Sequence, residues 1–253
     1  MYHTTGLTRG QLTDLVATVH QFLEKEDKKS GRPPVIGLFK SVVAVLWYLR
    51  RNRVQAEIAE LLGVSQSTVS RRITTLTPVL EEVLADYIPT LEELPDKDTL
   101  IVDGSLLTCW SWADAPELYS GKHRTTGLNV QVVTDLAGRR VYVSEPVSGK
   151  THDAKGLRQS GILDHIQPGN LLGDKGYVGL EMLTPIKKPP HRNLLDWEKE
   201  FNKQINKIRY VVERAIANFK TWRILFTDYR RPRKTFPQII KVVTALDEIR
   251  TYE

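Results

Sequence analysis

Three carboxylates in the C-terminal half of this 253-residue chain carry the spacing of a metal-dependent site. Asp103 follows the apolar run Leu100-Ile101-Val102 and precedes Gly104-Ser105, which predicts a carboxylate at a strand end beside a turn. Asp174 has the same setting after Leu171-Leu172-Gly173. Glu213 falls on a long predicted helix, Asp196 to Thr221, whose Ile205, Ile208, Val212, Ala215 and Phe219 make one apolar stripe. Arg209, Glu213 and Lys220 share a second stripe about 100° round the same helix. A helix of this kind buries one side on a sheet and aims a carboxylate along its flank. Any one of these acids alone reads as a turn-former or a helix cap. Together they can hold two Mg²⁺ ions, because hard divalent cations take carboxylate oxygens and borrow their remaining ligands from water and phosphate. Two such ions about 4 Å apart activate a water or 3′-hydroxyl and stabilise the leaving oxygen of a phosphodiester, with Mn²⁺ an expected substitute. Arg209 and Lys220 are candidates to hold phosphates nearby. The six histidines show no HExxH or paired zinc spacing.

His152-Asp153 offers a further acid in a polar loop, where solvent or the start of the helix at Ala154 can satisfy it. It reads as a group that orients the metal ligands or touches DNA, with direct metal ligation as the alternative. Lys122-His123-Arg124 and the run Arg230-Arg231-Pro232-Arg233-Lys234 are basic enough to meet a nucleic-acid backbone, and equally suit solvated loops. Trp110, Trp112, Trp197 and Trp222 could stack on an unpaired base, although most tryptophans simply pack.

A second kind of motif occupies residues 55–76. In Gln55-Ala-Glu-Ile-Ala59-Glu-Leu-Leu-Gly63-Val64-Ser65-Gln-Ser-Thr68-Val69, Ala59 is small where two helices cross, and Gly63 sits where a tight turn needs positive φ. Ser65 can cap the second helix. Gln66, Ser67 and Thr68 then lie at the N-terminal end of a recognition helix, placed to read base edges, and Arg71 and Arg72 lie one turn on, placed to reach phosphates. An all-α hairpin with no DNA role is the competing reading.

These residues resemble a known family. Asp103-Gly-Ser, Tyr119-Ser-Gly-Lys-His123, Asn129-Val-Gln-Val, His152-Asp153, Gly173-Asp-Lys-Gly-Tyr177 and Arg209-x3-Glu213-x6-Lys220 resemble the insertion-sequence transposases of the IS5 group, within the DDE superfamily endonucleases. The resemblance implies a retroviral-integrase-like (RNase H-like) core, with Asp103, Asp174 and Glu213 as a catalytic and metal-binding triad. It also implies two Mg²⁺ ions and hydrolysis followed by strand transfer. The RNase H-like strand order favours Asp174 over Asp153 as the second acid. One departure is Asn206, where group members usually carry a tyrosine three residues before the arginine. The resemblance implies as partners the terminal inverted repeats of an element and its target, both double-stranded DNA, with a homodimer acting on them. A domesticated, inactive DNA-binding regulator and a non-transposing nuclease on the same core are the competing functions.

The elements that would position these groups fall into two domains. Residues 1–88 read as an all-α helix-turn-helix domain, 89–98 as a short acidic linker with two prolines, and 99–253 as a mixed α/β catalytic domain. Thr8-x-x-Gln11 has capping-box form, and the turn-prone stretch Glu24–Pro34 separates two helices. Phe39, Val42, Val43, Leu46 and Trp47 are expected on one face of the second of these helices. Helices are expected at Gln55–Leu62 and Gln66–Leu76, with Thr77-Pro78 opening another. Strands are expected ending at Val102, over Leu128–Thr134 and Val141–Val143 around the turn Asp135–Gly138, and at Asn170–Gly173. A helix is expected over Ala154–His165, an edge strand and loop over Ile186–Asn193, and a last helix near Pro237–Arg250.

Composition bounds the rest. The chain is 41% hydrophobic and 26% charged, so it can bury a core and is not a disordered or coiled-coil protein. Its net charge of +6 permits a polyanionic partner. A single cysteine, Cys109, excludes an intramolecular disulfide. With no signal-like N-terminus and no long apolar run, the expected location is the bacterial cytoplasm, at the nucleoid when bound to DNA, with no membrane partner.

Overall fold

The computed structural model describes residues 2–25, 35–110 and 115–252. Most of the turn-prone stretch before Pro34, and Trp112, lie outside them. The chain forms two compact units, residues 1–88 with 219–253, and residues 89–218.

The first unit is helical. Its opening helices are α1 (Tyr2–Thr5), α2 (Arg9–Lys25), α3 (Leu38–Arg51), α4 (Gln55–Leu62) and α5 (Gln66–Val83). The capping box forms as expected: the Thr8 amide donates to Gln11 Oε1 at 3.0 Å, and the Gln11 amide donates to Thr8 Oγ1 at 3.3 Å. Helix α3 buries Val42, Val45, Leu46 and Leu49, whereas Phe39, expected on that face, is exposed. Helix α5 runs unbroken through Pro78, so no new helix starts at Thr77. Its buried stripe Val69-Ile73-Leu76-Leu80 is continuous across the proline, and that packing outweighs one lost backbone bond. The Thr77 hydroxyl bonds back to the Ile73 carbonyl at 2.6 Å instead of capping.

The second unit is an α/β sheet. Its strands are β1 (Leu100–Thr108), β2 (Tyr119–Ser120), β3 (Thr125–Thr134), β4 (Arg140–Val143), β5 (Val147–Ser148) and β6 (Leu171–Leu172), in the order β2-β3-β1-β6, with β4 and β5 also pairing β3. Strand β3 runs antiparallel to β1, and β6 runs parallel to it with Leu100 opposite Leu171. The β3–β4 hairpin turns where the sequence indicated. The expected single helix after Ala154 is two, α6 (Asp153–Gln159) and α7 (Ile162–His165), broken at Gly161. Ile186–Asn193 forms no strand. Asn202 takes the place of a sheet partner, accepting from the Ile186 amide at 2.6 Å and donating to its carbonyl at 3.0 Å. The expected linker is not free chain, since Leu94 is buried and Leu91 packs in the same cluster.

Alternation along β1 sorts the core. Leu100 and Val102 pack with Leu157, Ile162 and Tyr177 on one face, while Ile101 and Leu172 pack with Ile205 and Val212 of α8 (Asp196–Phe219) on the other. Ile208, expected in the buried stripe of α8, is exposed. Residues 219–253, which sequence order places with the catalytic domain, pack instead with the first unit. Trp222 and α9 (Phe236–Tyr252) bury themselves against α3 and α5. No helix among the described residues is long and apolar enough to cross a membrane.

Candidate active site and DNA-binding helices

Asp103 lies in the middle of β1, not at its end, because the strand continues through Gly104 and Ser105 to Thr108. By alternation its side chain shares the face of Ile101, the face covered by α8. There Arg209 Nη2 stands 3.5 Å from Asp103 Oδ2, and both side chains are largely buried. The β1–β6 pairing ends at Ile101 opposite Leu172, and Asp174 follows two residues beyond, near enough to act electrostatically on Asp103. Asp174 begins a single 3₁₀ turn after β6 and accepts the Gly176 amide at 2.6 Å. Burial pushes the Asp103 carboxyl up to about 6; Arg209 opposes the rise, and Asp174 and then Asp153 add to it.

The opposite face of β1 holds a separate polar network. Gly104 has Gln131 of β3 across from it, and a Cβ at 104 would overlap Asp153 Oδ1. Glycine therefore lets the first residue of α6 press its carboxylate onto the sheet. Asp153 Oδ1 accepts from Asn129 Nδ2 at 3.1 Å, and Oδ2 accepts from Lys122 Nζ at 2.9 Å. Burial works against the Lys122 ammonium, but its bond to Asp153 and the neighbouring aspartates outweigh that and raise its pKa. Gln131 Oε1 accepts from the Tyr177 hydroxyl at 2.7 Å, and Gln131 Nε2 reaches Asn129 Oδ1 at 3.5 Å. Burial, and after it the three aspartates, hold the Tyr177 phenol firmly protonated. Sequence reasoning gave Asn129, Gln131 and Tyr177 no role. The signal was present: two amides at alternate positions of an otherwise apolar strand, hence on one face.

Exposed His152, Lys122 and His123, with Lys150 and Asp153, line a cleft of about 520 Å³ beside this network. Arg124, also exposed, takes a left-handed backbone conformation at φ 54°. Glu213 lies on α8 one turn beyond Arg209, and its side chain is exposed. Lys220 does not extend the Arg209–Glu213 stripe, because α8 ends at Phe219 and Lys220 belongs to the other unit. Among the described residues no three Asp, Glu, His or Cys side chains are gathered into a ready metal cage. The donors that do approach are carboxylate oxygens, the type a hard divalent ion takes, and protein cations, Arg209 and Lys122, now offset their charge.

In the first unit the helix-turn-helix elements stand where the sequence placed them. Gly63 ends α4 at φ 65°, and the Val64 amide closes onto the Ala59 carbonyl at 3.0 Å. Ser65 Oγ accepts the Thr68 amide at 3.3 Å and so caps α5. Gln66, Ser67 and Arg71 are exposed and Arg72 is half-buried. Thr68 departs from its expected base-reading position: it is 7% exposed, and its hydroxyl bonds Ser65 Oγ at 3.0 Å. Exposed Trp110 and Trp197 contrast with Trp222, which is fully buried and donates to Asp247 Oδ1 at 2.9 Å. Trp222 is therefore packing, not a base-stacking platform.

A helical helix-turn-helix region followed by a mixed α/β sheet, with a buried aspartate on its central strand facing a helix-borne arginine, is consistent with an RNase H-like DDE fold. The chain belongs to the DDE superfamily endonucleases, whose profile matches residues 102–248. Such enzymes generally use divalent metals. The helix-turn-helix of the same superfamily matches residues 36–86. The chain is 28% identical over 245 residues to a protein of Microchaete diplosiphon named probable transposase for insertion sequence element IS702, covering 92% of this chain and 87% of that one. It is 30% identical over 224 residues to a Streptomyces albus G protein named putative transposase for insertion sequence element IS112, covering 87% and 83%. No solved structure matches the chain.

Proposed function

We propose that the protein is a transposase of the IS5-like kind, which binds element ends and cuts and joins DNA strands through Asp103, Asp174 and Glu213. The observation that carries this reading is the placement of Asp103. It faces α8, and Asp174 follows the end of the adjacent parallel strand and acts electrostatically on it, which supports grouping these two acids with the helix that bears the third. Asp153 presses on the opposite face, and both its oxygens already accept hydrogen bonds, which supports an orienting role. Asp103, Asp174 and Glu213 would hold two Mg²⁺ ions. When bound, these supply Lewis acidity and neutralise charge on the phosphate undergoing transfer. Arg209 holds Asp103 in place and offers a guanidinium to a non-bridging phosphate oxygen. Lys122, His123 and Arg124 flank the cleft as strand contacts. Gln66 and Ser67 read bases, and Arg71 and Arg72 hold phosphates. Two element ends call for two active sites, hence a homodimer on DNA.

The test is cleavage of a labelled duplex carrying the inverted repeat that brackets the gene. Asp174→Asn is expected to abolish cutting while leaving DNA binding intact, and chelator does the same. Asp153→Asn is expected to cut about 10–100-fold more slowly, the usual cost of losing a group that orients a ligand. A dead Asp153→Asn beside an active Asp174→Asn would redraw the triad as Asp103, Asp153 and Glu213. Undiminished cutting in chelator would overturn the metal reading, and binding without any cutting would leave a regulator.

A further inference from the structure

The basic run Arg230-Arg231-Pro232-Arg233-Lys234 belongs to the unit that carries the helix-turn-helix, although some 150 residues of chain separate them. It is seated there at several points. Asn52, the left-handed residue that ends α3 just before α4, donates to Thr227 Oγ1 at 2.7 Å and to the Asp228 carbonyl at 3.2 Å. Fully buried Tyr229 stacks on Phe236 at 4.3 Å between centroids, with its hydroxyl 2.6 Å from Thr235 Oγ1. These two aromatics fasten both ends of the basic segment. Arg231 Nη2 donates to Thr74 Oγ1 at 2.7 Å, on α5 itself and less than one turn beyond Arg71 and Arg72. Beyond the segment, Gln238 Nε2 ties α9 to Glu81 of α5 at 2.6 Å. Arg230, Arg233 and Lys234 are exposed.

Arg231 ties the run to α5, so exposed Arg230, Arg233 and Lys234 join the α5 arginines in one unit, a grouping of positive charge that suits a polyanion. We propose that Arg230, Arg233 and Lys234 form a second phosphate-binding surface for duplex DNA, held by Arg231 against α5 so that backbone contact continues past the recognition helix. This rests on the DNA-binding reading of the helix-turn-helix. It assigns residues 219–252 to DNA binding and makes that binding the work of a discontinuous unit. The contacts are to phosphate, so they strengthen binding to every sequence alike.

The experiment measures affinity of the full-length protein for a labelled random-sequence duplex across a salt series. Withdrawing one cation from the phosphates flattens the log–log slope by about 0.9. The triple variant Arg230→Gln, Arg233→Gln, Lys234→Gln is expected to flatten it by about 2–3, with an unchanged melting temperature, and Arg71→Ala by about 1. A wild-type protein with no salt-dependent binding would overturn the DNA reading itself. Salt-dependent binding that Arg71→Ala flattens and the triple variant does not would overturn this inference alone. Should the triple variant melt early, Lys234→Gln alone is read by the same rule, with about one unit expected and no change refuting.

Discussion

Removing one oxygen atom from Tyr177 tests whether the polar network under β1 holds the site. Tyr177 is fully buried, Gln131 is 1% exposed, and the bond between them is 2.7 Å. In Tyr177→Phe the ring stays and no sizeable cavity opens, so the loss is that of the hydrogen bond with Gln131 Oε1 left unsatisfied away from water. Such a loss costs about 1–3 kcal/mol. For a unit the size of residues 89–218 that lowers the melting temperature by on the order of 3–10 °C. The functional effect follows from geometry. Tyr177 sets which way the Gln131 amide faces, Gln131 Nε2 faces Asn129 Oδ1, and Asn129 Nδ2 then faces Asp153. Freeing the amide loosens Asp153, and cleavage of the labelled duplex is expected to slow with DNA affinity unchanged. A double-mutant cycle sharpens the test. Gln131→Leu with Tyr177→Phe removes both partners, so its cost should fall short of the sum of the single variants by about 1 kcal/mol or more. Additive single variants, or a Tyr177→Phe protein melting within about 1 °C of wild type, would refute the reasoning.

Two further outcomes are expected. Gly104→Ala places a methyl group on Asp153 Oδ1 and should displace α6, slowing cleavage while the Asp103–Arg209 pair on the other face persists; unchanged cleavage would show that Asp153 is not held where catalysis needs it. Glu198 is bound by both Arg192 Nη atoms at 2.6 and 2.7 Å and by the Leu195 amide at 2.7 Å, which holds its carboxyl at about 2. A carboxyl held below its unfolded value stabilises above the unfolded pKa and loses that contribution as pH falls through the folded one. The melting-temperature gap between wild type and Glu198→Gln should therefore be full at pH 7 and narrow between about pH 5 and 2; a gap constant across that window would show that Arg192 does not depress the carboxyl.

Local chemistry was the legible part of this sequence. The capping box at Thr8–Gln11, the glycine turn at Gly63 and the serine cap at Ser65 each depend on residues within four positions of one another, and each formed as read. Misreadings arose where packing between distant segments decides. Pro78 looked like a helix start, but the apolar stripe from Val69 to Leu80 carries α5 through it. Ile186–Asn193 looked like an edge strand, but it pairs with no strand, and Asn202 of α8 takes the amide and carbonyl of Ile186 at its start. Residues 219–253 looked like the end of the sheet domain because nothing local marks which of two cores will receive Trp222 and α9. For the site, the sequence picked out the acids and Arg209. It did not show that Asp103 and Asp153 press on opposite faces of one strand, which depends on the length of β1 and the absence of a side chain at Gly104.

The helix-turn-helix unit is interrupted in sequence, and that has a bearing on how the protein is made. A ribosome releases α2 to α5 first, then all of residues 89–218, and only then Trp222 and α9, which cover α3 and α5. At ordinary elongation rates the early helices wait on the order of ten seconds for their covering segment. The sheet unit, whose residues are contiguous, can meanwhile close its own core. A chain abandoned just past residue 218 has the whole of its sheet unit beside an unfinished helical unit. The helical unit that carries the helix-turn-helix is thus completed last, once the segment from residue 219 onward has been translated.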